Sequence, residues 1–200
     1  MAYSNFTLRK IKQEFNLILQ EQESFLPEVA AIKPSDYLIE TLQRNLTLAI
    51  AIGTEKARSE LLISPVLVEV REILDRRISI FSGVEFTVDE SLGLNGICDF
   101  LISRSSEQLL VESPVITIVE AKKEDLNSGM GQCIAEMIAA QKFNESNEVK
   151  MDHIYGIVTT GSIWRFLQLS GQTVCIDLMD YAMPPVDKIL GILTYLVDAA

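Results

Sequence analysis

Residues 115–122 read VITIVEAK, an unbroken aliphatic run that ends in an acid and an amine. The β-branched residues and the lack of polar alternation predict a central strand that is covered on both faces. Because side chains alternate along a strand, Glu120 and Lys122 are expected to point to the same face of the sheet. Placing such a pair at the end of an apolar strand is costly, so its position indicates a function.

A second apolar segment, GICDFLIS at residues 96–103, predicts another strand and carries Asp99. One or two carboxylates are enough to bind Mg²⁺ or Mn²⁺, and the carbonyl of Ala121 could add a ligand. Lys122 could orient or deprotonate an attacking water and offset charge in the transition state. This set predicts phosphodiester hydrolysis by direct water attack. The competing interpretation is a surface ion pair at the strand ends, because Glu-x-Lys is common by chance.

The composition bounds the class of protein. A chain of 200 residues that is 48 % hydrophobic predicts one compact domain with a sizeable core. Three cysteines without a CxxC pair, no signal peptide and no membrane-length apolar run favour a cytoplasmic protein with reduced thiols. A net charge of −11 should repel nucleic acid, unless basic residues gather on one face or a partner subunit supplies the binding surface.

The pattern along the chain predicts an α/β protein in which a central mixed sheet is flanked by helices. Residues 1–53 are interpreted as a mostly helical N-terminal extension that packs on the core, and residues 54–200 as the main domain. Ser35 and Thr54 are predicted to cap two helices. Pro65 either kinks the second helix or restarts it. Residues 8–18 are amphipathic, but helix and strand remain open.

The segments GICD at 96–99 and IVEAK at 118–122, with the helix that carries Gln132, together resemble the PD-(D/E)xK nuclease superfamily. The resemblance covers about residues 54–170 and implies a restriction-endonuclease-like fold and a magnesium-dependent endonuclease. The chain is more narrowly similar to the N-terminal nuclease domains of type I restriction motor subunits and to small cyanobacterial proteins of this fold. In the former, Glu-Ala-Lys also ends a strand, and a later strand reads like YGIVTTG at 155–161.

The resemblance also implies roles for two further residues. Glu60 matches a helix glutamate that reaches the metal or its water, although a solvated residue paired with Lys56 is the alternative. Gln132 is expected to bind the scissile phosphate or to hold Lys122. Two positions depart from the family pattern: Cys98 stands where the motif has proline, and Glu136 stands where RecB-type domains have tyrosine. The expected metal ligands are Asp99, Glu120, Ala121 and Glu60, with Lys122 and Gln132 as further catalytic residues.

Two functions from different classes fit these observations. The first is a nuclease that acts on DNA, with RNA as a compatible substrate. The alternative is a catalytically inactive nuclease-fold scaffold or regulatory subunit that binds protein. Double-strand cutting by such a fold needs two sites, which favours a homodimer or a partner subunit. The apolar runs at residues 46–52 and 189–197 could form a dimer face or cover the sheet.

Overall fold

A computed structural model describes residues 2–22 and 24–199. Within these residues the helices are α1 (Leu8–Glu14), α2 (Asp36–Ile52), α3 (Glu55–Arg58), α4 (Ser64–Ile73), α5 (Leu126–Ser146) and α6 (Asp187–Ala199). The strands are β1 (Ile18–Gln22), β2 (Ser79–Glu85), β3 (Ile97–Ser103), β4 (Val115–Ala121), β5 (Ile154–Thr159), β6 (Ile163–Ser170), β7 (Thr173–Asp177) and β8 (Tyr181–Ala182). A π-helical turn (Ser59–Ile63) and two 3₁₀ turns (Tyr3–Asn5 and Glu90–Leu92) complete the elements.

The eight strands form one mixed sheet in the order β1-β7-β6-β5-β4-β3-β2, and β8 pairs with β6. The aliphatic run of β4 lies inside this sheet and is buried along its whole length, as predicted. Strands β4 and β5 are parallel because α5 carries the chain back between them, whereas β3 and β4 are antiparallel. The carboxyl end of β4 therefore lies beside the start of β3 and the start of α5.

Helices cover both faces of the sheet, which confirms the predicted α/β architecture with flanking helices. One core contains Phe100, Trp164 and Leu190 and joins the sheet to α2, α4 and α6. The other contains Ile134 and Leu167 and joins the sheet to α1 and α5. Helix α5 packs directly on β4 and β5, whereas α1 packs on α5 and α2 packs on α4. The burial of this apolar surface is the main stabilising contribution in this type of fold.

The helical segment after Thr54 continues past Pro65 without a break. Thr54 caps it as predicted, since its side chain accepts a hydrogen bond from Ala57. The helix then continues through the π-helical turn, where the Ser64 N–H donates to Ser59 O five residues earlier. Pro65 lacks an N–H, and the wider turn just before it accommodates the ring within a continuous helix.

The N-terminal segment contains two helices and one strand. Residues 8–18 include α1 and the start of β1, so both of the open possibilities occur in succession. Strand β1 pairs in parallel with β7, and this segment therefore contributes an edge strand to the sheet. Helix α2 begins at the predicted cap, where Ser35 accepts from Leu38, and ends at Gly53 in the left-handed conformation.

The two apolar runs near the chain ends have different environments. Residues 189–197 lie in α6, and most of them are buried against the sheet. In residues 46–52 the side chains of Leu48, Ile50 and Ile52 are about half exposed. Among the described residues, no helix is both long enough and apolar enough to cross a membrane.

Candidate active site

Glu120 and Lys122 form a buried ion pair at the end of β4. Lys122 Nζ lies 2.5 Å from Glu120 Oε1, and the Glu120 side chain is 1 % exposed. The two side chains therefore share one face of the sheet, as strand alternation predicts. Gly129 at the start of α5 makes room for the lysine: a Cβ on this glycine would lie 2.9 Å from Lys122 Cε.

Asp99 reaches the same strand end from β3. The β3–β4 ladder runs up to the Phe100–Val119 pair, so Asp99 lies just beyond it. At this position the Asp99 carboxylate accepts the hydrogen bond that a strand carbonyl would otherwise accept. The Ala121 N–H donates to Asp99 Oδ2 at 2.8 Å. The second carboxylate is thus anchored one residue after Glu120, which brings together the acids of two strands that are far apart in sequence.

The charges in this cluster do not balance. Burial raises the pKa of Glu120 to about 8, and the nearby charge of Asp99 adds to this effect. Burial also raises the pKa of Asp99 above its usual range. Burial alone would lower the pKa of Lys122, but the Glu120 carboxylate and its hydrogen bond raise it above the ordinary value. One ammonium faces several carboxylates, and a bound cation would relieve their repulsion.

Glu60 is not brought into this cluster. Its side chain is 59 % exposed and forms an ion pair with Lys56 at 3.1 Å, which is the alternative that the i, i+4 spacing allowed. Glu55, in the first turn of α3, is instead the glutamate that lies near Asp99. It lines a cavity of about 230 Å³ together with Asp99. Its charge also adds to burial in raising the pKa of both Asp99 and Glu120.

Glu55 was missed in the sequence because it reads as an ordinary first-turn acid that interacts favourably with the helix dipole. The available signal was its position directly after the Thr54 cap, which fixes it at the helix end.

Gln132 contacts the site from α5, but it holds Glu120 and not Lys122. Its Nε2 donates to Glu120 Oε2 at 3.0 Å and to Glu136 Oε1 at 3.1 Å. Glu136 is 0 % exposed and therefore lies out of reach of a nucleic acid. Burial raises its pKa well above the ordinary value, and the charge of Glu120 adds to this. Sequence reasoning noted Glu136 only as a departure from a family pattern.

The carboxylates of this cluster are oxygen donors of the kind that divalent cations prefer. In the described part of the chain, no group of three or more His, Cys, Asp and Glu side chains is arranged to hold a metal. Mg²⁺ needs less, because it keeps several waters and binds through one or two carboxylates. Asp99 and Glu120 supply these, and Glu55 lies across the adjoining cavity. The residues therefore fit a hydrated magnesium or manganese ion, and the Ala121 carbonyl stays a predicted ligand.

Comparisons with known protein families, with curated proteins and with solved structures found no match for this chain. The fold shown for this chain is therefore the coarser one, a mixed sheet of eight strands flanked by helices. A function can be argued only from the site, since one fold supports many activities.

Proposed function

We propose that this protein is a nuclease of the PD-(D/E)xK superfamily that uses Mg²⁺ or Mn²⁺ to hydrolyse phosphodiester bonds of DNA. The observation that carries this proposal is the buried Glu120–Lys122 ion pair with Asp99 anchored beside it. Buried ionisable groups with strongly shifted pKa values at a strand end are typical of catalytic sites.

Asp99 and Glu120 would hold the cation, and Glu55 could bind one of its waters from across the cavity. When bound, the cation polarises a phosphoryl oxygen and lowers the pKa of a water. Asp99 keeps its hydrogen bond to the Ala121 N–H during binding, since this bond uses only Oδ2. Its carboxylate is thereby held in one orientation before the substrate arrives.

Lys122 acts as a cation that orients water and offsets negative charge on the phosphate. Its raised pKa keeps the ammonium protonated at neutral pH, which favours this role over proton abstraction. Lys122 Nζ contacts Glu120 Oε1 in the structure, and with a cation held by Asp99 and Glu120 this ammonium would be available to donate to a water or to the substrate. Donors aimed at developing charge in a water-poor site are effective in catalysis.

DNA is the substrate that the resemblance favours, and RNA is compatible with the same chemistry. The net charge of −11 opposes binding of either polymer at long range. We therefore expect weak binding in EDTA and tighter binding once a divalent cation has neutralised the carboxylates.

The test is a cleavage assay on supercoiled, linear and single-stranded DNA and on RNA, in Mg²⁺, Mn²⁺ or EDTA. The wild type should cut in either metal and not in EDTA. Lys122→Met should remove cleavage, while Glu60→Gln is the matched control that leaves it unchanged. Absence of both cleavage and cation binding in the wild type would contradict the proposal and favour the scaffold alternative.

A further inference from the structure

One amide in the site is shared by two carboxylates. Gln132 Nε2 carries two hydrogens and donates to Glu120 Oε2 and to Glu136 Oε1. Gln132 and Glu136 lie one turn apart on α5, so the helix itself fixes their spacing. The orientation of the Gln132 amide is therefore set by two acceptors, Glu120 and Glu136.

Glu136 has no structural explanation of its own. Its side chain is fully buried, and its Oε2 has no hydrogen-bond partner among the described residues. The charges that act on it include the nearby acids Glu120 and Asp99. A buried carboxyl of this kind destabilises the folded protein relative to an apolar residue of similar size at the same position. Its presence is explained if the oxygen bonded to Gln132 contributes to the site.

We propose that Glu136 is a positioning residue that fixes the metal-binding carboxylate of Glu120 by way of Gln132. With the Gln132 amide held by Glu136, Oε2 of Glu120 stays turned towards α5. Oε1, which contacts Lys122, is then the Glu120 oxygen that would be left to face a cation. This inference rests on the proposed function and adds to it the residue that orients a metal ligand.

The expected consequence is a loss of cation affinity without a loss of stability. Groups that hydrogen-bond to a metal-binding residue, as Gln132 does to Glu120, typically change metal affinity by about 10- to 100-fold when removed, and Glu136 acts one hydrogen bond further out. Glu136→Leu removes the acceptor and lets the Gln132 amide rotate, so Glu120 samples further orientations. The same substitution removes a buried acid with an unpaired oxygen, which should leave stability equal or higher.

The experiment measures the Mn²⁺ dissociation constant by titration calorimetry and the thermal midpoint of the apo protein. Three variants are compared with the wild type: Glu136→Leu, Glu136→Gln and Glu145→Leu. Glu136→Gln keeps an oxygen that can accept from Gln132. Glu145→Leu is the matched control, because Gln141 Nε2 donates to Glu145 Oε1 at 3.1 Å with the same spacing on the exposed end of α5.

We expect Glu136→Leu to weaken Mn²⁺ binding about tenfold, the lower end of that range, at an unchanged or higher thermal midpoint. Glu136→Gln should bind within about threefold of the wild type, and Glu145→Leu should bind as the wild type does. Wild-type affinity in Glu136→Leu would overturn this inference and leave the proposed function standing. A wild type that binds no Mn²⁺ would overturn the proposed function, and this inference with it.

If Glu136→Leu does not fold, a second measurement tests whether Glu136 holds the Gln132 amide. The two side-chain amide protons of Gln132 in the wild type should exchange with water far more slowly than those of Gln141. Both Gln132 protons are donated to buried carboxyl groups, whereas Gln141 donates to an exposed one. Equal exchange of the two side chains would overturn the role of Glu136.

Discussion

Two lysine–glutamate ion pairs in this molecule consist of the same residue types and differ in environment. Lys122 and Glu120 are 16 % and 1 % exposed, while Lys56 and Glu60 are 79 % and 59 % exposed. The exposed pair joins two residues one helical turn apart, and solvent screens it. The buried pair lies at a strand end, where burial and neighbouring acids raise the pKa of Glu120.

The comparison shows that burial, and not the residue types, separates a candidate active site from a surface contact. An exposed pair of this spacing is typically worth about 0.3–0.5 kcal/mol. A buried pair with surplus negative charge is the kind of place where a cation binds. Sequence reasoning assigned a site role to both Glu60 and Glu120, and the structure places only Glu120 in the cluster.

The largest expected difference between the pairs is catalytic. Lys122→Met should lower the cleavage rate by about 100-fold or more, since it removes a donor aimed at developing charge. Glu60→Gln should change the rate by less than about twofold, because Glu60 is an exposed acid outside the cluster. Initial rates on one DNA substrate in Mg²⁺ check both variants. A similar rate loss in the two would abolish the distinction.

The next difference lies in cation binding. Glu120→Gln and Asp99→Asn should each remove measurable Mn²⁺ binding, because an amide is a much weaker ligand than a carboxylate for this ion. Glu60→Gln should bind Mn²⁺ as the wild type does. Titration calorimetry of the three variants measures this, and undiminished binding in Asp99→Asn would break the site assignment.

The pH dependence of stability should also differ. Burial raises the pKa of Glu120 from 4.5 to about 8, so over this range the folded chain binds more protons at Glu120 than the unfolded chain does, and the ion pair with Lys122 is complete only near its upper end. The unfolding free energy should therefore fall as the pH rises from about 5 to about 8. Urea titrations across this pH range should show that the unfolding free energy falls less steeply with pH in Glu120→Gln than in the wild type. In Glu60→Gln it should fall as steeply as in the wild type. A wild-type free energy that rises with pH would contradict the burial of these acids.

The smallest effect is the coupling energy of the exposed pair. A double-mutant cycle on Lys56 and Glu60 should give about 0.3–0.5 kcal/mol at low salt and close to zero at 1 M NaCl. The cycle on Lys122 and Glu120 should give a larger coupling that salt reduces much less. Equal salt sensitivity in the two cycles would indicate that water reaches the buried pair.

Local patterns predicted the relative placement of Glu120 and Lys122. The alternation of side chains along β4 is set by the backbone alone, so Glu120 and Lys122 could be assigned to one face without knowing the fold. The caps at Ser35 and Thr54 are local as well, and both were predicted correctly. Asp99 was a candidate because it lies in an apolar strand, but its hydrogen bond to Ala121 depends on where the β3–β4 ladder ends.

The parts that the sequence did not reveal depend on tertiary contacts. Glu60 lies in the π-helical turn, where the ordinary helical period does not give the direction of a side chain. Glu136 lies in the middle of a helix that is buried on most sides, so amphipathic periodicity could not distinguish it from a surface acid. Strand β1 needs a partner far along the chain, and short segments carry little information about such pairing.

The central claim is that Asp99 and Glu120 together bind one divalent cation, and anomalous diffraction from Mn²⁺-soaked crystals tests it most directly. We expect one strong peak in contact with carboxylate oxygens of both residues, at about 2 Å. Lys122 Nζ should then have moved away from Glu120 Oε1. Crystals soaked at saturating Mn²⁺ that show no peak between these carboxylates, with the Lys122–Glu120 contact intact, would contradict the claim.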